Sequence, residues 1–192
     1  MPPMTFSSMA PLTAAEFLAL PENTDIRLEL QDGAFVVKPR PTPHHQASLL
    51  ELFVQLHQRT PGLVPVSGVD VDPRLVPPDQ PGTVRVPDLV VVPKDRYERV
   101  RDGTEPVTAD DLVLVGEVIG PGSRRTDTVI EHADYADAGI GHYWIIDLDD
   151  DANLTACHLA CGSRYLDAGR RRGVFETDVP FPAVLDLAAL LE

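Results

Sequence analysis

The chain has 192 residues, 43% of them hydrophobic, which is enough for one domain with a substantial core. It carries 16 Lys and Arg against 30 Asp and Glu, so its formal net charge is −14. This charge repels nucleic acid and anionic membranes at long range, so binding either one would require a local basic patch. No apolar run approaches the ~18 residues of a membrane span. With two cysteines and no secretory leader, the sequence predicts a cytoplasmic protein without a disulfide framework.

The beginning of the chain predicts a tail followed by one domain. Residues 1–11 are expected to form a flexible tail, and residues 12–192 a single domain. Thr13 and Glu16 have the spacing of a capping box, which predicts a short helix that continues through Leu20.

A hairpin and an amphipathic helix are predicted next. Two alternating apolar runs flank residues 31–33 (QDG), which is typical of a hairpin, and Glu29 lies on its first strand. The stretch PTPHHQASLLELFVQLHQ predicts a helix that begins near Pro43 and ends before Pro61. Its expected buried side is Leu49, Phe53 and Leu56, with Leu50 and Val54 beside them.

The centre of the chain alternates strands with one helix. Strands are predicted in LVPVSGVDVD, VRVPDLVVVP, LVLVGEVIG and HYWIIDL, with the helix TVIEHADYADAGIG before the last of them. The strand at 112–120 is apolar on both faces, which predicts a central position. Residues 153–177 predict further antiparallel strands, and 186–191 a short closing helix. The order of helix, three strands, helix and strand predicts an α/β fold with a mixed sheet and a C-terminal antiparallel extension.

Two carboxylates interrupt these apolar strands. Asp88 opens the strand in VRVPDLVVVP and Glu117 lies inside LVLVGEVIG. A buried carboxylate is costly unless it is paired or neutralised, and two convergent carboxylates bind a hard divalent cation such as Mg²⁺. Two other readings remain open at this stage: Asp88 as a turn residue after proline, and Glu117 in an ion pair with Arg124 or Arg125.

Two other clusters of polar residues point less clearly to function. Cys157, His158 and Cys161 suggest zinc, but strand alternation places His158 on the opposite face from the cysteines, which favours ordinary core cysteines. The run RRRG at 170–173 is expected to be a solvated hairpin tip.

Several motifs together resemble the Uma2 family of the PD-(D/E)XK nuclease superfamily. They are RVPDLVVV, EVIGPGSRRTD and YADAGIGHYWIIDL, preceded by LTAAEFLALPE, RLELQDGAFVV and PTPHHQ, and they run from about Leu12 to Leu191. The resemblance implies a restriction endonuclease-like core. It also implies hydrolysis of phosphodiester bonds in a nucleic acid, expected to be DNA, with Mg²⁺ or Mn²⁺. A homodimer is compatible with the exposed edges of a mixed sheet but is not required.

The same resemblance implies roles for individual residues. Asp88 would be the aspartate of the PD motif, Glu117 the following acidic residue, and the Val118 carbonyl a third metal ligand. Glu29 matches a glutamate of the family hairpin, where it would be an outer-shell or second-metal ligand; the alternative is an exposed strand residue. His44 and Gln46 match a polar start of the helix and either face the cleft or lie at the surface.

One position departs from the family pattern. The resemblance implies a lysine four residues after Asp127, where this chain has Glu131. The only lysines are Lys38 and Lys94, and both are predicted to lie away from the motif. Glu131 is expected either to close a capping box with Thr128 or to act as a third metal ligand.

Two functional hypotheses follow from this departure. The first is a metal-dependent endonuclease that is weakened by Glu131. Arg124 or Arg125 would then bind phosphate, although a guanidinium cannot serve as a base. The second is a catalytically inactive nuclease fold that binds a protein or nucleic acid and regulates without cutting.

Overall fold

The N-terminal helix forms as its capping signal predicts. The computed structural model describes residues 10–21, 26–57, 60–120, 122–149, 151–160 and 162–192, so most of the predicted tail lies outside the described residues. Helix α1 (Ala14–Leu18) follows Thr13, whose hydroxyl accepts the Glu16 N–H at 3.2 Å while the Glu16 carboxylate accepts the Thr13 N–H at 2.9 Å. The reciprocal bonds satisfy two donors that the first helical turn cannot pair internally.

The predicted hairpin and long helix are confirmed. Strands β1 (Arg27–Gln31) and β2 (Ala34–Lys38) pair in antiparallel fashion around Asp32 and Gly33, whose φ angles are 49° and 77°. Positive φ at both central positions matches the twist of a two-residue hairpin turn, and glycine adopts it without strain. Helix α2 (Pro43–His57) follows after only four residues, so the end of β2 and the start of α2 lie close together.

The buried side of α2 differs in part from the prediction. Leu49 and Leu56 are buried as expected, and Leu52 joins them. Leu50 and Val54 are 66% and 53% exposed, so placing them beside the buried side was wrong. Each lies one or two positions from a buried residue, and the ~100° rotation per residue carries it out of a narrow apolar stripe.

The remaining strands form one large sheet and two small ones. In chain order they are β3 (Leu63–Val66), β4 (Val71–Asp72), β5 (Leu89–Pro93), β6 (Val107–Thr108), β7 (Leu114–Ile119), β8 (His142–Asp147), β9 (Asn153–Ala160), β10 (Arg164–Arg172), β11 (Val174–Thr177) and β12 (Ala183–Asp186). The six-stranded sheet has the order β10-β9-β8-β7-β5-β3, and β7 and β8 are its parallel pair. The mixed sheet and the central position of β7 are both confirmed.

Both faces of this sheet are covered. Along β5, Leu89 and Val91 pack on the side of α2, while Val90 and Val92 pack on the opposite side. The opposite side is covered by helix α4 (Glu131–Asp137), which contributes Tyr135. This alternation explains why the strand sequence is apolar at every position.

Two smaller expectations need correction, and one further helix is present. The segment after β5 forms the helix α3 (Lys94–Val100), for which no prediction was made. Residues 170–172 belong to β10 and are not a hairpin tip. The closing helix is a 3₁₀ turn, Ala188–Leu191. Among the described residues, no helix is long and apolar enough to cross a membrane.

Helix α4 begins differently from the prediction. A π-helical turn, Thr126–Ile130, precedes it, and the Thr128 hydroxyl donates to the Arg124 carbonyl at 2.6 Å, as it would inside a helix. Thr128 therefore does not cap α4, and the predicted capping box with Glu131 is wrong. A π-turn inserts an extra residue into the helical repeat and changes which side chains face inward. Glu131 lies fully buried.

Candidate metal-binding cleft

The two carboxylates predicted to converge are neighbours. The register pairs Leu89 of β5 with Gly116 of β7, which places Asp88 beside Glu117. The Asp88 N–H donates to Glu117 Oε2 at 3.2 Å, and the Val118 N–H donates to Asp88 Oδ2 at 3.0 Å. Both side chains are buried. Together with Val118 they line a cavity of about 70 Å³, comparable to the space of about two liquid waters at ~30 Å³ each.

The connection from β2 to α2 forms the facing wall of this cavity. Lys38, Arg40, Thr42 and His45 all line it. Thr42 accepts the His45 N–H through its hydroxyl at 3.2 Å, which caps the first turn of α2. Because the hairpin runs into the helix within a few residues, a strand lysine and a helix histidine are held over the same carboxylates.

Lys38 lies in the cleft, so the prediction that it is remote from the motif was wrong. Its Nζ lies 3.0 Å from Glu29 Oε1 and 3.3 Å from Glu131 Oε1. Burial opposes its charge, but the carboxylates of Glu117, Glu131 and Glu29 outweigh burial and raise the pKa of the Lys38 ammonium. Lys38 therefore remains positively charged at every physiological pH.

Glu131 is paired with this lysine. Its Oε1 accepts from Lys38, while Oε2 has no hydrogen-bond partner among the described residues. Burial raises the pKa of Glu131, and the nearby ammonium of Lys38 opposes that rise. The cleft therefore has a lysine supplied from β2 and a glutamate on α4. The positive charge that the family pattern places on α4 is supplied here by the Lys38 ammonium on β2.

Glu29 is the second carboxylate paired with this lysine. It is 1% exposed, so the alternative of an exposed strand residue is wrong. Its Oε1 accepts the Val86 N–H at 2.8 Å, and its Oε2 accepts from Arg85 Nη1 at 3.2 Å. Arg85 is also buried and forms a second ion pair with Asp134 of α4. These bonds, with the one from Lys38, engage both Glu29 oxygens, which suits a residue that positions Lys38.

His45 contacts two of the three predicted metal ligands. Its Nε2 lies 3.0 Å from Asp88 Oδ2 and 3.0 Å from the Val118 carbonyl, both acceptors, so Nε2 is assigned as the protonated nitrogen. Burial raises the pKa of Asp88, but the hydrogen bond and charge of His45 outweigh it and lower that pKa. The two helix residues singled out from the sequence, His44 and Gln46, are exposed.

Asp127 adds another buried carboxyl group to the cleft. Burial raises its pKa to about 7, although the Ser123 hydroxyl, which donates to its Oδ2 at 2.5 Å, partly opposes the shift. Burial also raises the pKa of Glu117 well above its usual range. Raised carboxyl pKa values indicate that the negative charge in the cleft is under-compensated. An all-oxygen donor set with this deficit fits a hard divalent cation such as Mg²⁺ or Mn²⁺.

The two arginines predicted to bind phosphate lie outside the cavity lining. Arg124 forms ion pairs with Asp147 at 2.7 Å and Asp149 at 2.6 Å, and it borders a different cavity. Arg125 is exposed. The basic side chains that line the cleft are Arg27, Lys38 and Arg40, and Arg27 Nη1 lies 4.0 Å from Asp88 Oδ1.

Sequence reasoning missed Lys38, His45, Arg85 and the burial of Asp127. One signal for Lys38 was present: it closes a hairpin strand directly before the PTPHHQ stretch, and both segments carry the family resemblance. The lysine and Glu131 are 93 positions apart, so no local pattern links them.

The sheet, its helices and the acidic cleft define an α/β protein of the restriction endonuclease-like class, whose members use divalent metal ions. The model of the Uma2 family, described as "Putative restriction endonuclease", matches residues 14–181, and the chain belongs to this family. A crystal structure of a "putative nuclease belonging to DUF820" from Anabaena variabilis is similar, with a TM-score of 0.65 and 20% identity over 94% of this chain and 98% of that chain. No curated protein matches the chain.

Proposed function

We propose that this protein is a Mg²⁺- or Mn²⁺-dependent endonuclease that hydrolyses phosphodiester bonds in DNA. One observation carries the proposal: Asp88, Glu117 and Val118 line a cavity that Lys38 also lines. Oxygen ligands for a cation, together with a fixed positive charge, are the groups that phosphoryl transfer requires.

Asp88, Glu117 and the Val118 carbonyl would hold the ion. When bound, the cation would polarise a phosphoryl oxygen and lower the pKa of water. Asp127 is the cleft carboxyl group best suited to accept the proton of the attacking water, because its pKa of about 7 matches the pH of the cell. In the reaction, the water oxygen forms a bond to phosphorus while one phosphoester bond breaks, and the departing sugar oxygen takes a proton from solvent water.

Lys38 would stabilise the negative charge that develops on the phosphoryl oxygens. It cannot act as the base, because its neighbouring carboxylates keep it protonated. Glu29 and Glu131 act as positioning residues, since each has a carboxylate oxygen close to Nζ, at 3.0 and 3.3 Å. In this proposal Glu131 does not replace the expected lysine. It orients a lysine that comes from β2.

The net charge of −14 would repel DNA at long range, so DNA binding requires basic side chains near the site. Arg27 and Arg40 lie beside Lys38 along the cleft, so three cationic side chains line the acidic cavity. A DNA backbone would approach these side chains, where counterion release favours binding despite the acidic remainder of the protein.

Nicking of supercoiled plasmid tests the proposal. We expect cleavage with Mg²⁺ or Mn²⁺, none with EDTA, and loss of cleavage in Asp88→Ala and Glu117→Gln. Asp110→Ala is the matched control, because Asp110 is 74% exposed and pairs with Arg74 away from the cleft.

The alternative, an inactive nuclease-fold binding protein, predicts different outcomes. It predicts DNA or metal binding without cleavage in the natural chain, and cleavage only in Glu131→Lys. We expect Glu131→Lys to reduce cleavage, because it places a second ammonium against Lys38. Calorimetric Mn²⁺ binding that is unchanged after both Asp88 and Glu117 are substituted would contradict a nuclease, whether active or decayed.

A further inference from the structure

A second group of ligand-type side chains includes His132, the residue that follows Glu131 in α4. Cys157 of β9 and Asp167 of β10 are directly paired across the antiparallel strands, so their side chains share one face of the sheet. His132 of α4 lies over the same face, and its Nε2 is 3.1 Å from Asp167 Oδ1. This group differs from the sequence motif Cys157-His158-Cys161, because His158 instead contacts His142 at 3.1 Å.

The spacing of the three ligand atoms is close to that of a tetrahedral site. The sulfur, nitrogen and oxygen all lie within 4.8 Å of one another. Zn²⁺ bonds of ~2.0–2.3 Å to these donor types give ligand-to-ligand edges of roughly 3.4–3.6 Å in a tetrahedron. The His132–Asp167 edge, at 3.1 Å, needs to lengthen slightly, and the other edges, which are at most 4.8 Å, need to shorten by up to about 1.2–1.4 Å to reach these lengths.

Aromatic rings pack against the imidazole of His132, and a β-bulge lies next to the carboxylate of Asp167. The His132 ring packs edge-on against Tyr165 and Tyr143, with ring centroids 5.1 and 6.1 Å apart. The β9–β10 register shifts immediately after Asp167, and Gly169 has a φ of 74°. Such a bulge changes the direction of the adjacent side chains and is common next to functional sites.

The thiol of Cys157 is fully buried. Burial raises its pKa, and the Asp167 carboxylate raises it further. A buried cysteine often acts only as a small apolar residue. That role does not explain why an imidazole and a carboxylate from two other elements converge on the sulfur.

We propose that His132, Cys157 and Asp167 form a binding site for Zn²⁺ or a comparable borderline divalent ion. Sulfur and imidazole donors select such ions over Mg²⁺, which prefers oxygen alone. Three protein ligands leave a fourth position for water, and His132 and Asp167 both border a cavity of about 280 Å³. Ion binding deprotonates the thiol and releases one proton to solvent.

Cobalt substitution tests this proposal without any activity assay. Purified full-length chain is stripped of metal and titrated with Co²⁺ in millimolar Mg²⁺, which occupies the oxygen-only cleft. We expect one Co²⁺ per chain, a thiolate-to-cobalt charge-transfer band, visible bands typical of tetrahedral geometry, and displacement of cobalt by Zn²⁺.

Two variants test the ligands, and a third is the control. Cys157→Ser should abolish the charge-transfer band, and Asp167→Asn should weaken Zn²⁺ binding by at least about tenfold. Asp167 is half exposed, so its substitution is compatible with folding if the cysteine variant fails to fold. Cys161→Ser is the control and should retain the band. Absence of the band in the natural chain, or its persistence in Cys157→Ser, would overturn the proposal.

Discussion

Two adjacent residues of α4 contribute to chemically different places. Glu131 faces the cleft, where oxygen atoms from buried carboxylates surround Lys38, whereas His132 faces the β9–β10 pair, where a thiol and a carboxylate meet an imidazole. Consecutive helical residues point about 100° apart, so one helix can serve two sites. The comparison teaches that the type of donor atom, more than its position in the fold, decides which metal ion each site would select.

The two places also differ in how their charge is balanced. The cleft concentrates acidic groups whose pKa values are raised by burial, with Lys38 as a central counter-charge. The His132 cluster is partly open to solvent through Asp167. Perturbing the cleft should therefore have large electrostatic consequences.

The largest expected effect comes from removing the central cation. Lys38→Met should lower Mg²⁺-dependent plasmid cleavage by about 10²–10³-fold, because a positioned charge near the reacting phosphate is lost. Lys94→Met is the matched control, since Lys94 is exposed at the start of α3. The rate constant for nicking is the measurement.

The pairing of Lys38 with Glu131 can be tested by placing the lysine on α4 instead of β2. Lys38→Met combined with Glu131→Lys should recover part of the lost cleavage, because a lysine on α4 reaches the same cleft. Full activity in Lys38→Met alone would show that the ammonium has no part in the chemistry.

The second effect is a pH dependence of stability to which Asp127 contributes, in the same direction as the raised pKa values of Glu117 and Glu131. Its pKa is about 7 in the folded state against 3.8 ordinarily, so the folded state binds the extra proton and this stabilisation is lost as pH rises towards 7. In EDTA, Tm should fall by roughly 5–10 °C between about pH 5 and pH 8, equivalent to about 2.7 kcal/mol for the two pH units that separate pH 5 from the folded pKa. Asp88 acts oppositely, but only at more acidic pH, because its pKa is lowered.

Two comparisons check that assignment by differential scanning fluorimetry. Asp127→Asn should flatten the dependence on pH, and saturating Mg²⁺ should reduce it, since a cation compensates the ionised carboxylates. An identical slope in Asp127→Asn and the natural chain would assign the effect to other groups.

A third effect concerns His45, whose Nε2 bonds the Asp88 and Val118 oxygens. His45→Ala should strengthen Mn²⁺ binding by about tenfold, because the ion no longer displaces a hydrogen bond to a charged carboxylate, worth ~1.5–3 kcal/mol. His44→Ala, the exposed neighbour, is the control. Calorimetry that shows weaker binding in His45→Ala would instead make the imidazole a metal ligand.

The smallest effect separates two neighbouring arginines. Arg124 is already held by Asp147 and Asp149, whereas Arg125 is exposed. Arg125→Ala should weaken DNA binding a few-fold and reduce the salt slope by about 1, as expected for one phosphate contact. Arg124→Ala should change both less, and the opposite order would show that DNA displaces the aspartates.

The convergence of Asp88 and Glu117 was predictable because it rests on short-range rules. Apolar runs predict the strands, and strands that follow one another in sequence usually lie close in space. The role of Glu131 was not predictable, because its capping-box spacing with Thr128 fitted a helix start that the π-turn displaces. The sequence analysis singled out His44 and Gln46 and not His45, which lies between them. A shift of one residue along the helix decides which side chain enters the cleft, and the sequence pattern did not fix that shift.

The amino-acid sequence by itself determined the hairpin, the mixed sheet and the two carboxylates on adjoining strands, since turn chemistry and hydrophobic periodicity act over a few residues. Tertiary structure alone decided that Lys38 neutralises Glu131 and that His132 meets Cys157 and Asp167. Charge burial and ligand geometry depend on which distant segments pack together, and residues 93 positions apart carry no local record of that contact.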